Sequence, residues 1–529
     1  MVIGNEMGEN YDTFAEKKIQ LHEVDDGSDV IVSLSNAVLE NNDANNSYNE
    51  MEISIDQAVN RIGVGKFQSQ MLFAAGTCFM ADSTEIILLS FLSLVLKKEW
   101  NWTDGDTIAD AKVPALTACM FIGALVGAAI IGPLGDRFGR RPVLLWTAFN
   151  ISLFGILTAF CNNFITLLIV RTIVGFGIGG LTIPFDILAE FTPDEQRGKY
   201  LYLIEYYWTA GSVLVPIVAY FTIELAHSWR VFVVVCALPC VISLLVGIAY
   251  VPESPRWLVL QGKNEEALDI LKKAAALNGK DPEILFPQNC ILCDEEQRSL
   301  VRQSEEQKGW GDLFTDRWRN TTLLLFIVWI GEALCYYGAV MLSTRVFDTN
   351  LNANDQKAMF DYSAIFFSSL SEVVAITVAI ALVDHIGRVK LLVTSYICGG
   401  ISLSLLCLVV HSASRSTLII LAFIMRACEM FEASSVWVIT VEIFSTDIRS
   451  TGHGATNTMA RFGGFLSPYV VSSYWSYRQI GIIMLLFHLF IAFCASQLPE
   501  TKGVQMGKVV KSKSNDYISM DHRELNQIT

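Results

Sequence analysis

The stretch Gly132–Pro142 reads GPLGDRFGRRP and joins two apolar segments by a short connection dense in charge. A shorter copy, DHIGRVK, occupies Asp384–Lys390. The offset from Asp136 to Asp384 is 384 − 136 = 248 residues, and the glycine and arginine that follow keep the same offset. A loop repeated in register about half a chain length apart indicates an internal duplication.

Other charged residues repeat in the same order along the chain. The pairs are Glu190 with Glu442, Arg197 with Arg449, and Glu253 with Glu500. Their offsets are 252, 252 and 247 residues, close to the offset of the loop. Parallel repeats in an apolar chain are typical of a large class of membrane transporters.

The composition places the chain in a membrane. Of its 529 residues 52% are hydrophobic and only 17% are charged, whereas soluble chains carry about 25% charged residues. The apolar residues form runs of about 20, which is long enough for a helix to cross a bilayer. We predict an all-α membrane protein with twelve spans, at 67–96, 113–132, 142–161, 164–188, 200–224, 231–251, 320–345, 362–383, 390–411, 416–440, 453–475 and 479–497.

These spans divide the chain into five parts. We expect a cytosolic N-terminal tail over 1–66, mostly disordered with a short lead-in helix, and a first six-helix bundle over 67–251. A cytosolic loop with an amphipathic helix follows over 252–319, then a second bundle over 320–497 and a cytosolic tail over 498–529. The net charge of −15 lies partly in the N-terminal tail and does not suggest nucleic-acid binding.

The basic residues of the short loops predict the orientation. They fall on one side of the twelve spans, which the positive-inside rule assigns to the cytosol together with both termini. Asn101, in the sequence Asn-Trp-Thr, then lies outside and is a candidate glycosylation site. The membrane is the plasma membrane or that of a vesicle or vacuole.

Charged residues inside the spans are the candidates for contact with a solute or proton. A charge at the centre of a bilayer costs about 2.5–3.5 kcal/mol on insertion scales, so it is expected to face a wet cavity or a partner. The candidates are Asp82, Glu85, Glu205, Glu332, Glu429, Arg171 and Arg461, with the nearby aromatics Trp208, Tyr336 and Tyr337. The alternative is that some of them form ion pairs that hold helices together, including a pair between Arg426 and Glu429 on one helix.

No motif indicates an enzyme, a metal site or a cofactor. Gly175, Gly177 and Gly180 match the pattern GxGxxG, which binds dinucleotides only between a strand and a helix. Here the pattern lies inside a membrane span, where small residues allow close packing of helices.

Together these motifs resemble the major facilitator superfamily over about residues 54–503. The loop GPLGDRFGRRP, the repeated acidic and basic elements, PESPRW at 252–257 and PETKG at 499–503 are similar to its sugar porters. The segments AVNRIGVGKFQ, MADSTE and LIEYYW resemble the synaptic-vesicle-two-related (SVOP-like) group, which sits beside plant organic-cation and bacterial niacin transporters.

The resemblance implies two pseudo-symmetric six-helix bundles around a cavity that opens alternately to each side. It also implies a cytosolic gate, whose residues we expect to be Gly135, Asp136, Arg137, Gly139, Arg140, Arg141, Glu190, Arg197, Glu253, Asp384, Gly387, Arg388, Glu442, Arg449 and Glu500. Ion pairs at an interface that opens and closes differ in strength between two states, as a gate requires.

We therefore hypothesise a secondary transporter, acting as a monomer, for a small organic cation or an aromatic carboxylate such as nicotinate. Proton coupling is part of the hypothesis. The seventh span has Glu332 and no row of amide side chains, which disfavours a hexose or polyol as the solute. A non-transporting membrane receptor or regulator is the alternative from another class.

Overall fold

The structure, a computed structural model, describes residues 51–102, 107–180, 182–287, 290–293, 310–348, 359–444, 448–472, 474–502, 509–511 and 517–519. Its contacts group Met1–Met51 and Glu52–Thr529 as separate units, and the helices lie in the second. The prediction that the N-terminal tail is mostly disordered falls on residues 1–50, which lie outside the described ranges.

The described part begins with strand β1 (Met51–Ser54) and helix α1 (Ile55–Ile62). The Ser54 hydroxyl accepts a hydrogen bond from the Gln57 backbone N–H at 3.2 Å, and the Gln57 side chain accepts one from the Ser54 N–H. This reciprocal capping fixes the start of α1. Its apolar face is buried, and α1 coincides with the predicted lead-in helix.

Among the described residues, nine helices build the first six spans, because three of the spans are broken. They are α2 (Lys66–Glu99), α3 (Thr107–Phe138), α4 (Arg140–Leu157), α5 (Phe164–Ile178) with α6 (Thr182–Glu190), α7 (Asp194–Leu203) with α8 (Glu205–Ala219), and α9 (Trp229–Cys236) with α10 (Leu238–Tyr250). The fifth span carries Pro216 and ends in a π-helical turn at Tyr220–Leu225, and Pro239 follows the break in the sixth. Proline has no N–H to donate, so helices break or widen there.

The central loop contains α11 (Pro255–Leu260), α12 (Asn264–Leu277), α13 (Pro282–Leu285) and β2 (Cys290–Cys293), which pairs with β1. The second half is built from six unbroken helices. They are α14 (Arg319–Val346), α15 (Tyr362–Ile386), α16 (Arg388–Val409), α17 (Arg415–Ile443), α18 (Arg449–Val470) and α19 (Tyr477–Ser496). Strands β3 (Val509–Lys511) and β4 (Tyr517–Ser519) pair antiparallel in the C-terminal tail.

The predicted all-α membrane fold is confirmed. Each predicted span coincides with one long helix or with a broken pair, and ten helical segments of the described residues are long and apolar enough to cross a membrane. The other two are α17, which contains the buried charged residues Arg426, Glu429 and Glu432, and α18, which is rich in glycine and in polar residues. The helix containing the GxGxxG pattern packs closely on α3: a side chain at Gly175 would meet the Met120 carbonyl, and one at Gly179 would meet backbone atoms of α3. Glycine thus permits the close helix contact that the sequence suggested.

Candidate functional site

A central cavity lies between the two halves. Its volume is about 40 Å³, enough for a few water molecules but not for an organic solute. It is lined by Phe79, Glu205, Trp208, Trp329, Glu332, Ala333, Tyr336, Tyr337, Met430, Ala433, Trp437, Asn457, Ala460 and Arg461. Six of the ten residues expected to meet a solute or proton are among them: Glu205, Trp208, Glu332, Tyr336, Tyr337 and Arg461.

Aromatic rings form most of the cavity wall. The rings of Trp329 and Trp437 pack with centroids 5.1 Å apart. The Trp208 indole N–H donates to the Tyr336 hydroxyl at 2.7 Å, and the Trp329 N–H donates to the Thr440 hydroxyl at 2.8 Å. Because both N–H groups already have acceptors, these tryptophans offer mainly their ring faces to a ligand.

Two carboxylates and one guanidinium supply the charge of the cavity. Glu205 and Glu332 are buried, and neither carboxylate accepts a hydrogen bond from another residue that the structure describes. Arg461 donates to the Asn457 side-chain carbonyl at 3.3 Å and interacts electrostatically with Glu332. The cavity therefore combines two carboxyl groups and one guanidinium with aromatic walls.

Asp82 lines a different cavity. That space of about 20 Å³ lies inside the first half, between α2, α4, α5, α6 and α10, where Cys78, Thr147 and Ser243 are neighbours. Asp82 still interacts electrostatically with Arg461, which lines the central cavity. The structure thus places Asp82 behind the cavity wall.

Glu85 and Arg171 are sealed from both cavities by an ion pair. Arg171 Nη1 lies 2.8 Å from Glu85 Oε2, and Arg171 Nη2 donates to the Glu85 backbone carbonyl at 2.7 Å. Both side chains are 0% exposed. Here the structure differs from the expected role of these residues in solute contact, because each charge is already satisfied by the other helix. The pair ties α2 to α5.

Arg426 pairs with Glu372 of α15, and the expected pairing with Glu429 is wrong. Arg426 also donates to the Ser212 hydroxyl at 2.7 Å, and the Tyr336 hydroxyl donates to Glu372 at 3.2 Å. Ser212 belongs to α8, so this buried network joins the first half to the second. Side chains three residues apart share a helix face, but a partner on another helix gives the better geometry here.

Glu429, the last of the expected solute contacts, lies inside the second half. Its carboxylate is 2.9 Å from the His488 imidazole of α19, and it does not line the central cavity.

The gate loop of the first half is held by two glutamates. Gly139 has a φ of 103°, a backbone conformation that suits glycine. The next N–H, that of Arg140, donates to Glu253 Oε1 at 2.8 Å, so Glu253 caps the start of α4. The Arg140 guanidinium pairs with Glu190 at 3.1 Å, and the Ser254 hydroxyl donates to the same Glu190.

The second half repeats this arrangement residue by residue. Gly387 has a φ of 111°, and the Arg388 N–H donates to Glu500 Oε1 at 2.8 Å. The Arg388 guanidinium pairs with Glu442 at 3.3 Å, and the Thr501 hydroxyl donates to Glu442. The duplication read from the sequence therefore extends to the individual hydrogen bonds.

The other expected gate residues surround these two clusters. Arg197 pairs with Asp194 at 2.9 Å and with Asp56 of α1 at 3.4 Å, and Arg141 donates to the Val251 backbone carbonyl at the end of α10 at 2.7 Å. Arg140 also pairs with Asp186 at 3.0 Å, a partner that the sequence analysis missed. Arg137 is exposed beside Phe138, and the side chains of Asp384 and Arg449 lie outside the described residues.

The two ends of the molecule differ. A cavity of about 230 Å³ lies at the end that carries Gly139, between α3, α6 and α18, and Gly135, Asp136 and His453 line it. At the opposite end the Ser90 and Thr344 hydroxyls are hydrogen-bonded at 3.0 Å across the two halves. The two halves are therefore in contact at the end opposite the gate loops.

Sequence reasoning missed the residues that complete the central cavity. Phe79, Trp329, Trp437 and Asn457 line it, although none stood out beside a charged residue in the sequence. Asn457 carried a signal: it lies 252 residues after Glu205, the offset that relates the gate residues. Asn101 is exposed at the end of α2, while Thr103 of its glycosylation motif lies outside the described residues.

Comparisons with known proteins agree with this fold. A family model described as sugar (and other) transporter matches residues 64–511. The synaptic vesicle 2-related protein of Xenopus laevis is 32% identical over 436 residues, covering 79% of this chain and 75% of that protein. Organic cation/carnitine transporter 7 of Arabidopsis thaliana is 28% identical over 490 residues, covering 85% and 95%.

Solved structures show the same fold. The xylose transporter XylE from E. coli, in a partially occluded inward-open conformation, has a TM-score of 0.65 at 20% identity. The match covers 83% of this chain and 99% of that one.

Proposed function

Because the chain belongs to the sugar (and other) transporter family of the major facilitator superfamily, and is a multi-pass membrane transporter rather than an enzyme, we propose that it moves a small organic cation. The two halves expose the central cavity alternately to each side of the membrane. The gate loops and both termini face the cytosol, and the membrane is the plasma membrane or that of a vesicle or vacuole.

The observation that carries this proposal is the chemistry of the central cavity. Glu205 and Glu332 contribute two carboxylates against the single guanidinium of Arg461. The faces of Trp208, Trp329 and Trp437 attract a cation, an effect of about 0.5–2 kcal/mol per favourable contact. A positively charged solute with an apolar body fits this combination better than a hexose, which needs rows of hydroxyl partners. The relative from Arabidopsis thaliana is named for organic cations and carnitine.

An aromatic carboxylate is the second candidate, since Arg461 with Asn457 forms a donor group on the same wall. It would bind the guanidinium while its ring stacks on the aromatic wall. Uptake of nicotinate against a quaternary amine separates the two solutes.

Proton coupling is assigned to Glu332, with Asp82 as the next group. Both carboxylates interact with Arg461, so a solute that displaces Arg461 changes the charge that stabilises their ionised forms. This linkage between solute and proton is what coupling requires.

The test is uptake of a radiolabelled quaternary amine into proteoliposomes under an imposed pH gradient. We expect saturable accumulation, competed by other organic cations and not by glucose. Glu332→Gln should reduce accumulation at least tenfold, and Glu283→Gln, an exposed residue of the central loop, should not. Ligand binding without accumulation would show a receptor instead of a transporter. Asp82→Asn with unchanged uptake and pH dependence would remove Asp82 from the coupling assignment.

A further inference from the structure

A second cluster of ligand-type side chains lies inside the second half, away from the central cavity. Cys335 of α14, Glu429 of α17 and His488 of α19 each place one ligand atom within 4.8 Å of the others. All three side chains are buried. Thiolate, imidazole and carboxylate are the ligands that zinc takes in proteins.

The imidazole is oriented as in a metal site. His488 Nδ1 is 2.7 Å from the Met484 backbone carbonyl, and a carbonyl accepts only, so Nδ1 carries the proton. Nε2 then points to Glu429 Oε1 at 2.9 Å. Without a metal this contact is an ion pair in which a doubly protonated imidazole donates to Glu429. With a metal, the unprotonated Nε2 and the Glu429 oxygen are both available as ligand atoms. Metal-binding histidines characteristically donate their other N–H to a backbone carbonyl or carboxylate.

A fourth group is buried beside the cluster without a partner. Glu432 is 0% exposed, and neither of its oxygens has a hydrogen-bond partner among the described residues. The second oxygen of Glu429 has none either. Glu432 Oε1 and Glu429 Oε1 both approach Gly399, whose missing side chain leaves the space for them. Carboxylates without partners are costly in an apolar interior. A bound cation would therefore stabilise Glu429 and Glu432.

The internal duplication relates this cluster to a site in the first half that holds a cationic side chain. Cys335 corresponds to Glu85, since 335 − 85 = 250, and His488 corresponds to Cys240, since 488 − 240 = 248. In the first half the guanidinium of Arg171 neutralises Glu85 at this position. In the second half the corresponding arginine is Arg426, since 426 − 171 = 255, and it pairs with Glu372 instead. Within the described residues no lysine or arginine forms an ion pair with Glu429 or Glu432.

We propose that Cys335, Glu429 and His488 bind a divalent transition-metal ion of the zinc type, with the buried Glu432 as a neighbouring carboxylate that balances its charge. The thiol and imidazole favour zinc over magnesium or calcium, which take oxygen ligands. Glu332, which lines the central cavity, lies one helical turn before Cys335 on α14. The ion joins α14, α17 and α19 as the Glu85 ion pair joins α2 and α5.

The test is metal binding by the purified full-length protein in detergent. We expect about one zinc per chain by mass spectrometry after expression with zinc, and one cobalt per chain in cobalt titrations, with the absorption band of a cobalt–thiolate bond. Cys335→Ser should abolish that band, and His488→Gln should weaken cobalt binding at least tenfold. Cys407→Ser, a buried cysteine of α16 in the same half, is the matched control and should behave as the wild type.

A wild-type protein without zinc and without the band would overturn the proposal, and would mean that protons alone neutralise the cluster. A band that persists in Cys335→Ser would also overturn it. Size-exclusion profiles of each variant distinguish loss of binding from loss of folding. The proposal does not depend on the solute, because uptake and metal content are measured separately.

Discussion

The ion pair between Glu85 and Arg171 allows a quantitative test of whether these two residues stabilise the fold or take part in transport. Both side chains are fully buried, and Arg171 uses both terminal nitrogens on Glu85. Glu85→Gln leaves the guanidinium charged and without its counter-ion. Removing one partner of a buried pair costs about 3–5 kcal/mol, a large part of the 5–15 kcal/mol that stabilises a typical domain. A loss of this size lowers the equilibrium constant for folding at least ~100-fold.

The double variant Glu85→Leu with Arg171→Met provides the sharper comparison. Replacement of a buried ion pair by apolar residues of similar volume is often neutral or stabilising. We therefore expect the double variant to unfold near the wild-type temperature, and the single variant well below it. Thermal unfolding of the detergent-purified protein, followed by size exclusion, measures both.

The control is Glu283→Gln, which breaks the exposed pair with Lys272. Exposed pairs contribute only about 0–1 kcal/mol, so this variant should match the wild type. The reasoning is refuted if Glu85→Gln is as stable as the wild type while its uptake no longer depends on pH. Glu85 would then carry a proton in the resting state and take part in coupling.

Three further predictions concern other parts of the molecule. Gly387→Ala should destabilise the protein by about 1–3 kcal/mol, because φ is 111° and the new methyl group would lie 2.6 Å from Glu500; Gly311→Ala, in open space, is the thermal-unfolding control. Tyr336→Phe removes the acceptor of the Trp208 N–H and should cost about 1–3 kcal/mol, with weaker thermal stabilisation by an organic cation. Burial raises the pKa of Asp361, but hydrogen bonds from Arg415 and its neighbours outweigh it and lower the pKa below 3.8. Asp361→Asn should therefore reduce stability at neutral pH, and the two proteins should converge as the pH falls below 3.8, where the wild-type carboxylate gains its proton.

The repeated elements could be predicted from the sequence because they depend on chain register. The spacing that relates Gly139 to Gly387 requires no knowledge of the fold, and the same hydrogen bonds follow each glycine. The spans could be predicted because twenty apolar residues have few alternatives to a membrane helix.

Partners on other helices could not be predicted in this way. Helical spacing suggested Glu429 for Arg426, whereas the structure supplies Glu372 from α15. The same limit applies to Asp82 and Glu85, three residues apart on one face: the neighbouring helices leave Asp82 beside a cavity and enclose Glu85. Apolar residues that line the cavity, such as Trp329, could not be identified from the sequence, because a tryptophan buried in any hydrophobic core gives the same sequence pattern.

Among the described residues, three spans of the first half are broken, whereas the second half has six unbroken helices, one of which, α18, contains Pro468. A helix bends most easily where its ladder of backbone hydrogen bonds is interrupted. The two halves, although copies in sequence, are therefore mechanically unequal, because the interruptions are more numerous in the first half than in the second. During a transport cycle we therefore expect most of the bending of helices to occur in the first half.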